Sequence, residues 1–224
     1  MVELLYSAND LTEFRVATLD LGGTLVNSNA LGSTHKVYNT ELGMAEEEER
    51  RLYEKHRDRT GDLENHMLHA KEQSEILRKT GADIREYADV TRMLHEDRTL
   101  LPGAKPFVKE LEDLGYSTFL VSSAPKAASL PYAEDLDIDY LYVWKDFRFD
   151  DEGDFDSVFV NSEAERGKHQ VVENLMKRGS EVTHFGNGNN DKKAGRSADA
   201  SKIQHWESNP EKAYQKALAE ARKL

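Results

Sequence analysis

The 224-residue chain contains no cysteine, only 5 prolines and no long apolar run. Without cysteine it has no disulfide, no cysteine–zinc site and no thiol nucleophile. A membrane-spanning helix needs about 18 consecutive apolar residues, and the apolar stretches of this sequence are much shorter. The amino-terminal residues also lack the basic segment and apolar run of a signal peptide. These absences predict a cytoplasmic protein that has no membrane partner.

Positive charge is in deficit, with 30 Lys and Arg against 42 Asp and Glu, which gives a formal net charge of −12. A surface of this sign repels polyanions, so we predict that the protein has no nucleic acid partner. Charged residues make up 32% of the chain and apolar residues 38%. These proportions are typical of a folded protein with a well-solvated surface. No sequence feature indicates an oligomeric state.

Short apolar runs alternate with amphipathic segments along most of the chain. The runs predict strands at 14–21, 117–121, 140–144, 181–185 and 203–206, and a hairpin that joins 147–149 to 155–160. The amphipathic segments predict helices at 104–114, 126–136, 164–177 and 210–223. This alternation is typical of the α/β class, with a doubly wound parallel sheet.

Residues 27–100 break this pattern, because they are dense in charge and contain no proline. They predict helices at 45–59, 63–79 and 84–95. The block is too long for a single crossover helix, so we predict a helical cap at 27–100 inserted into an α/β core made of 1–26 and 101–224. Ligands of such sheets bind at the carboxyl ends of the strands.

The first predicted strand ends in the sequence DLGGT, which holds Asp20, Gly22, Gly23 and Thr24. A carboxylate at this place faces the crevice of the sheet, beside backbone N–H groups that a tight turn leaves free for phosphate. The alternative is a turn that the Asp20 side chain merely caps with a local hydrogen bond. The motif by itself leaves both interpretations open.

DLGGT resembles two families. It is similar to the phosphate loop of the actin/hexokinase-like sugar kinases, which would imply ATP binding, but that fold needs two large lobes and a β-hairpin after the loop. It also resembles the first motif of the haloacid dehalogenase-like hydrolases. Three further motifs of that family follow in the expected order: FLVSS with Ser122, ERGKHQVV with Lys168, and HFGNGNNDKKAG with Asp191. The resemblance spans about 14–206 and is strongest to the phosphoserine phosphatase-like branch, a Rossmann-type fold.

The resemblance implies an aspartate-based phosphatase that acts on a small phosphorylated substrate. Asp20 would be the nucleophile that forms an aspartyl phosphate. Mg²⁺ would be held by Asp20, by the backbone carbonyl of Gly22 and by Asn187, with support from Asp191. Oxygen ligands of this kind are the ones that Mg²⁺ prefers.

The same resemblance assigns the residues that bind the phosphoryl group. Ser122 and Lys168 would contact its oxygens, and Lys168 would also stabilise the charge of the transition state. The remaining phosphate-binding residues would be Gly23 and Ser123, through their N–H groups, and Thr24.

Two positions depart from the family pattern. Phosphatases of the family place a second aspartate, which transfers protons, where this chain has Gly22. They also place a metal-binding aspartate where this chain has Asn187. Both departures weaken the same reaction, so the alternative function is a catalytically impaired relative that binds a phosphorylated ligand or a protein partner. Asn29 stands where phosphoserine phosphatases carry a glutamate that binds the substrate amine, so the sequence does not predict phosphoserine as the substrate.

Other conspicuous residues have simpler interpretations. We expect His184 to be buried and hydrogen-bonded rather than catalytic, and Trp144 and Trp206 to lie in the core. A Schiff-base mechanism would require a lysine from the cap. The cap lysines are expected on any charged helix surface, namely Lys36, Lys55, Lys71 and Lys79.

Overall fold

The computed structural model describes residues 1–7, 14–27, 34–56, 63–161, 167–204 and 206–223, and of 63–66 only the backbone. Within these ranges the strands form one sheet in the order β1-β4-β3-β2-β6-β7, in which every neighbouring pair is parallel, and β5 pairs antiparallel with β4. The strands are β1 (Glu3–Leu5), β2 (Arg15–Leu19), β3 (Ser117–Pro125), β4 (Tyr140–Phe149), β5 (Phe155–Val160), β6 (Glu181–Gly186) and β7 (Ala200–Ile203).

Helices cover both faces of this sheet, because β2 and β3 carry apolar side chains on each face. On one face, Ala17 and Leu19 pack with Phe107 and Tyr214. On the other, Val16 packs in a separate cluster with residues of two further helices. The helices of this core are α5 (Ala104–Asp113), α6 (Lys126–Asp135), α7 (Lys168–Lys177), α8 (Asn189–Ser197) and α9 (Pro210–Ala221). The predicted α/β class with a doubly wound parallel sheet is therefore confirmed.

The predicted elements need three corrections. The last strand is Ala200–Ile203 rather than 203–206, and Trp206 lies after it, fully buried, with its indole N–H donating to the Gly186 carbonyl at 2.8 Å. β1 was not predicted, because three residues are too short a run to give a pattern. β4 runs unbroken from Tyr140 to Phe149. Parts of the predicted helices 45–59 and 164–177 lie outside the described residues.

In its described parts, the long insertion contains four helices, one more than its sequence predicts. They are α1 (Thr34–Glu41), α2 (Glu46–His56), α3 (Leu63–Thr80) and α4 (Ile84–Asp97). The chain leaves and re-enters the core at neighbouring points, since Val26 bridges Leu100 and the Leu101 N–H donates to the Leu25 carbonyl at 2.8 Å. The division into a cap at 27–100 and a core stays a prediction, although these paired ends are what an insertion requires.

The inserted helices pack on the β4–β5 hairpin through a cluster of buried apolar residues. This cap–hairpin cluster contains Tyr38 and Tyr87 from the insertion together with Phe147, Phe155 and Val158 from the hairpin. Polar contacts cross the same boundary. The Val158 N–H donates to Ser74 Oγ at 2.9 Å, and Lys145, whose pKa burial lowers to about 7, donates to Gln73 at 2.7 Å. The hairpin is therefore part of the support for the inserted helices.

None of the helices within the described ranges combines the length and apolarity needed to cross a bilayer.

Candidate active site

A cavity of about 380 Å³ opens where β2, β3 and β6 end, below the inserted helices. The carboxyl ends of parallel strands meet at one edge of a sheet, so the loops that follow them form one crevice. Seven of the nine predicted site residues line this cavity. They are Asp20, Gly22, Ser122, Ser123, Lys168, Asn187 and Asp191.

The loop after β2 explains why Gly23 and Thr24 are not among the lining residues. Gly23 has φ = 73°, a conformation that suits glycine, and its N–H donates to the Val26 carbonyl at 2.7 Å. Thr24 is fully buried, and its hydroxyl donates to Asp20 Oδ2 at 3.1 Å. In this loop Thr24 therefore orients the Asp20 carboxylate, and the Gly23 N–H closes the turn.

Lys168 joins the two acidic residues of the site. Its ammonium donates to Asp20 Oδ1 and, at 2.7 Å, to Asp191 Oδ1. All three residues are buried, with 7%, 5% and 2% of the surface exposed for Asp20, Lys168 and Asp191. Buried charges are stable only when they are paired and hydrogen-bonded. One cation therefore serves two carboxylates, and this group of three residues carries one excess negative charge.

The two carboxylates differ in their proton affinity. Burial raises the pKa of Asp20, and the nearby Asp191 raises it further against the opposing effect of Lys168. Burial also acts to raise the pKa of Asp191, but the hydrogen bond from His184 and the Lys168 ammonium outweigh it and hold that pKa well below its usual value. Asp20 therefore has the higher pKa of the two residues and is the more basic carboxylate of the pair.

Asp191 is fixed by the start of α8. Its Oδ2 accepts N–H bonds from Gly188 at 2.8 Å and Asn187 at 3.2 Å, and its Oδ1 accepts the Nε2–H of His184 at 3.2 Å. A Cβ at Gly186 would lie 2.3 Å from Asp191 Cγ, so only glycine leaves room for this carboxylate. His184 is fully buried and also bonds to the Thr18 hydroxyl at 2.9 Å, which confirms the expected structural role.

The residues present fit a magnesium ion that is held weakly. The Asp20 carboxylate, the Gly22 carbonyl and the Asn187 amide are hard oxygen donors on the wall of one cavity. Both oxygens of Asp191 are already hydrogen-bonded within the protein. Among the described residues there is no group of three or more acidic or histidine side chains that could hold a metal. The oxygens of Asp20 also accept hydrogen bonds, from Lys168 and Thr24, so the donor set suits Mg²⁺ in kind but offers it no carboxylate that is free of protein partners.

Two ionisable residues of the insertion line the cavity, and no sequence pattern predicted them. His35 lies near the start of α1, and its Nε2–H donates to the Ser123 carbonyl at 2.8 Å. Arg98 follows α4 and is 8% exposed; it donates to the Thr34 hydroxyl at 2.6 Å, and burial lowers the pKa of its guanidinium. No motif marks either residue, because each reaches the site only through folding of the insertion over the sheet.

The cap lysines do not line this cavity. Lys55 is an exposed residue that pairs with Glu72. The others are likewise exposed, namely Lys36, Lys71 and Lys79. The structure thus gives no support to a Schiff-base mechanism on these lysines. Asn29, whose identity argued against phosphoserine, lies outside the described residues.

Comparisons with known proteins identify the family and the fold. A family model described as haloacid dehalogenase-like hydrolase matches residues 14–199. A phosphoserine phosphatase in its apo form has 20% identity and a TM-score of 0.60, covering 85% of this chain and 86% of that one. A phosphoserine phosphatase from T. onnurineus has 18% identity and a TM-score of 0.57, covering 95% and 96%. At these identities the likeness shows the fold alone. No curated protein sequence matches the chain significantly.

Proposed function

Because the chain belongs to the haloacid dehalogenase-like hydrolases, which are enzymes, we propose that it is a Mg²⁺-dependent phosphatase that uses Asp20 as its nucleophile. The observation that carries this proposal is the buried bridge from Lys168 to both Asp20 and Asp191 in a cavity at the edge of the sheet. This bridge holds a basic carboxylate next to a fixed cation, which is the pairing that attack on a phosphate dianion requires.

The reaction has two steps. An Asp20 oxygen forms a bond to phosphorus while the bond from phosphorus to the leaving oxygen breaks, which gives an aspartyl phosphate and a leaving oxygen that must gain a proton to depart as an alcohol. Water then attacks phosphorus, the bond to Asp20 breaks, and inorganic phosphate leaves with the carboxylate restored. Ser122, Ser123 and Lys168 would bind the phosphoryl oxygens throughout. Mg²⁺, when bound, would neutralise phosphate charge during the attack.

The substrate we propose is a small phosphomonoester. The two similar structures named above are phosphoserine phosphatases. Another similar structure is a cytosolic 5'-nucleotidase IIIB bound to cytidine, which has 14% identity and a TM-score of 0.55 and covers 96% of this chain and 88% of that one. A cavity of about 380 Å³ suits a substrate of that size class. The buried Arg98 on its wall adds a second cation beyond Lys168, which favours an anionic ligand.

The first test is hydrolysis of 4-nitrophenyl phosphate by the purified chain, with Mg²⁺ and after removal of metal by EDTA. We expect turnover in Mg²⁺ and a loss of at least about tenfold in EDTA, because the metal supplies several kcal/mol of charge stabilisation. Addition of Mg²⁺ in excess of the chelator should restore the rate. Turnover that is indifferent to EDTA would contradict metal dependence, and no turnover in either buffer would contradict the phosphatase assignment.

The alternative is an impaired relative that binds a phosphorylated ligand or a partner protein. Gly22 and Asn187 support it, because one lacks the proton-transferring carboxylate and the other lacks a negative charge at the metal. In this case the natural chain would be inactive, and the Gly22→Asp/Asn187→Asp double variant would create activity. The sugar-kinase interpretation is wrong, because the family model that matches is that of a hydrolase.

In such an impaired chain, Gly22→Asp alone should raise kcat/KM for an alkyl phosphate by at least about tenfold, because general acid–base transfer contributes about 10²–10⁴-fold when fully positioned. The site has room for this side chain, since a Cβ at Gly22 meets no described atom within 4 Å. Gly22→Asn is the matched control, because it adds the same bulk without a group that transfers protons. Equal rates for both variants would contradict the expected role of a carboxylate at this position.

A further inference from the structure

Proton transfer is unassigned in the proposed reaction. The leaving oxygen of an alkyl phosphate must gain a proton, and the attacking water must lose one. The family position for this task is Gly22, which has no side chain. An enzyme active on alkyl phosphates therefore needs another proton donor within reach of the same cavity.

Five of the described cavity-lining residues are ionisable, and four of them are unsuited to the task. Asp20 is the nucleophile, and Lys168 donates hydrogen bonds to both Asp20 and Asp191, which holds it and Asp191 in the ion-pair group. Arginine keeps its proton at all physiological pH values, which excludes Arg98. The fifth is His35, and imidazole is the side chain that ordinarily exchanges a proton near neutrality.

His35 is placed beside the phosphate-binding strand end. It lies near the start of α1, is half-buried, and lines the cavity together with Gly22 and Ser123. Its Nε2–H donates to the Ser123 carbonyl at 2.8 Å across 88 positions of sequence. The Nε2 proton therefore lies at Ser123, next in sequence to Ser122, which is predicted to bind phosphate.

We propose that His35 is the general acid and base of this enzyme, supplied by the inserted helices in place of the carboxylate missing at Gly22. This inference rests on the proposed phosphatase function. It assigns proton transfer to a residue outside the four sequence motifs.

The proton moves through Nε2 in both steps. As Asp20 forms its bond to phosphorus and the ester bond breaks, the imidazolium of His35 gives its Nε2 proton to the leaving oxygen, which departs as a neutral alcohol. Neutral His35 then takes a proton from water as the water oxygen attacks the aspartyl phosphate. Phosphate is released, Asp20 is again a carboxylate, and His35 is again protonated.

The test compares two esters of similar size in the His35→Gln variant. 4-Nitrophenolate leaves without a proton, whereas the alcohol of benzyl phosphate needs one. We expect kcat/KM for benzyl phosphate to fall by about 10²-fold and that for 4-nitrophenyl phosphate by less than about threefold, because kcat/KM reports only the steps up to formation of the phosphoenzyme. Glutamine can still donate to the Ser123 carbonyl, so this variant removes proton transfer and keeps the contact.

Two further variants complete the experiment. His95→Gln is the matched control, since His95 is a histidine of α4 that stacks beside Tyr132 and does not line the cavity. Gly22→Asp in the His35→Gln background should recover the activity on benzyl phosphate. An equal loss on both esters, or no loss on either, would overturn the role of His35 and leave the phosphatase assignment intact. A natural chain that fails to hydrolyse even 4-nitrophenyl phosphate would overturn the proposed function and this inference with it.

Discussion

Asp20→Asn should lower kcat for 4-nitrophenyl phosphate by about 10⁴-fold or more, since loss of a nucleophile in a well-studied hydrolase costs about 10⁶-fold. The amide has almost the shape of the carboxylate but neither its charge nor its nucleophilicity. The amide oxygen can accept the hydrogen bond from Lys168, and the amide NH₂ can donate to the Thr24 hydroxyl, which is able to accept as well as donate. Steady-state rates in Mg²⁺ measure the loss, and mass spectrometry of the natural chain quenched during turnover should detect the phosphoenzyme.

The same variant should leave the fold intact. Asp191 keeps Lys168 as its partner, and the repulsion between two buried carboxylates disappears. We therefore expect a Tm equal to or above that of the natural chain, as happens when a site is built for activity at the expense of stability. Asp113→Asn, which changes an exposed carboxylate paired with Lys109, is the control for both readouts. Retained turnover in Asp20→Asn would remove Asp20 as the nucleophile.

Lys168→Met should affect both activity and stability. The variant removes the cation that lies between Asp20 and Asp191, so the charge of the transition state loses a fixed partner and kcat should fall by about 10³-fold. Removing one member of a buried ion pair costs about 3–5 kcal/mol of unfolding free energy, because the remaining charges stay buried without compensation. Urea unfolding monitored by circular dichroism measures this change.

A pair of control variants separates these effects. Lys126→Met removes a partly exposed lysine that lies 3.7 Å from Asp146, and the loss there should be about 1 kcal/mol or less. Asp20→Asn combined with Lys168→Met should regain part of the lost stability without regaining activity, since it removes one of the two uncompensated charges. Equal destabilisation by Lys168→Met and Lys126→Met would contradict the view that Lys168 is the shared partner of the buried pair.

Much of the sheet and its reactive edge could be predicted from the sequence. A run such as FRVATLDL shows a buried strand by its continuous apolar character, and the polar residue that follows the run marks the carboxyl end. Asp20, Ser122 and Asp191 are found in this way, because parallel strands bring their carboxyl ends to one edge. Lys168 was predicted only through the resemblance to the family, and the structure places it as the first residue of α7.

The features that could not be predicted depend on contacts across the fold. His35 lies in α1 and Arg98 directly follows α4, in charged segments that give no motif, and only packing of the inserted helices over the sheet brings them to the cavity. The turn at Gly23 uses an N–H that the motif alone would leave to phosphate. Trp206 is apolar and near a strand, but its indole bonds to Gly186 from the following segment. Local pattern contains no information on such long-range pairings.

The cap–hairpin cluster determines which segments must be moved together if the insertion of one protein is transferred to a related one. Residues 27–100 are continuous in sequence and enter and leave at adjacent points, which makes them look like a detachable module. Their apolar underside is completed, however, by Phe147, Phe155 and Val158 of the hairpin. A chimera that received the insertion alone would pack the hairpin side chains of the recipient against an unmatched surface, so recombination or gene fusion must transfer both segments for the new insertion to fold.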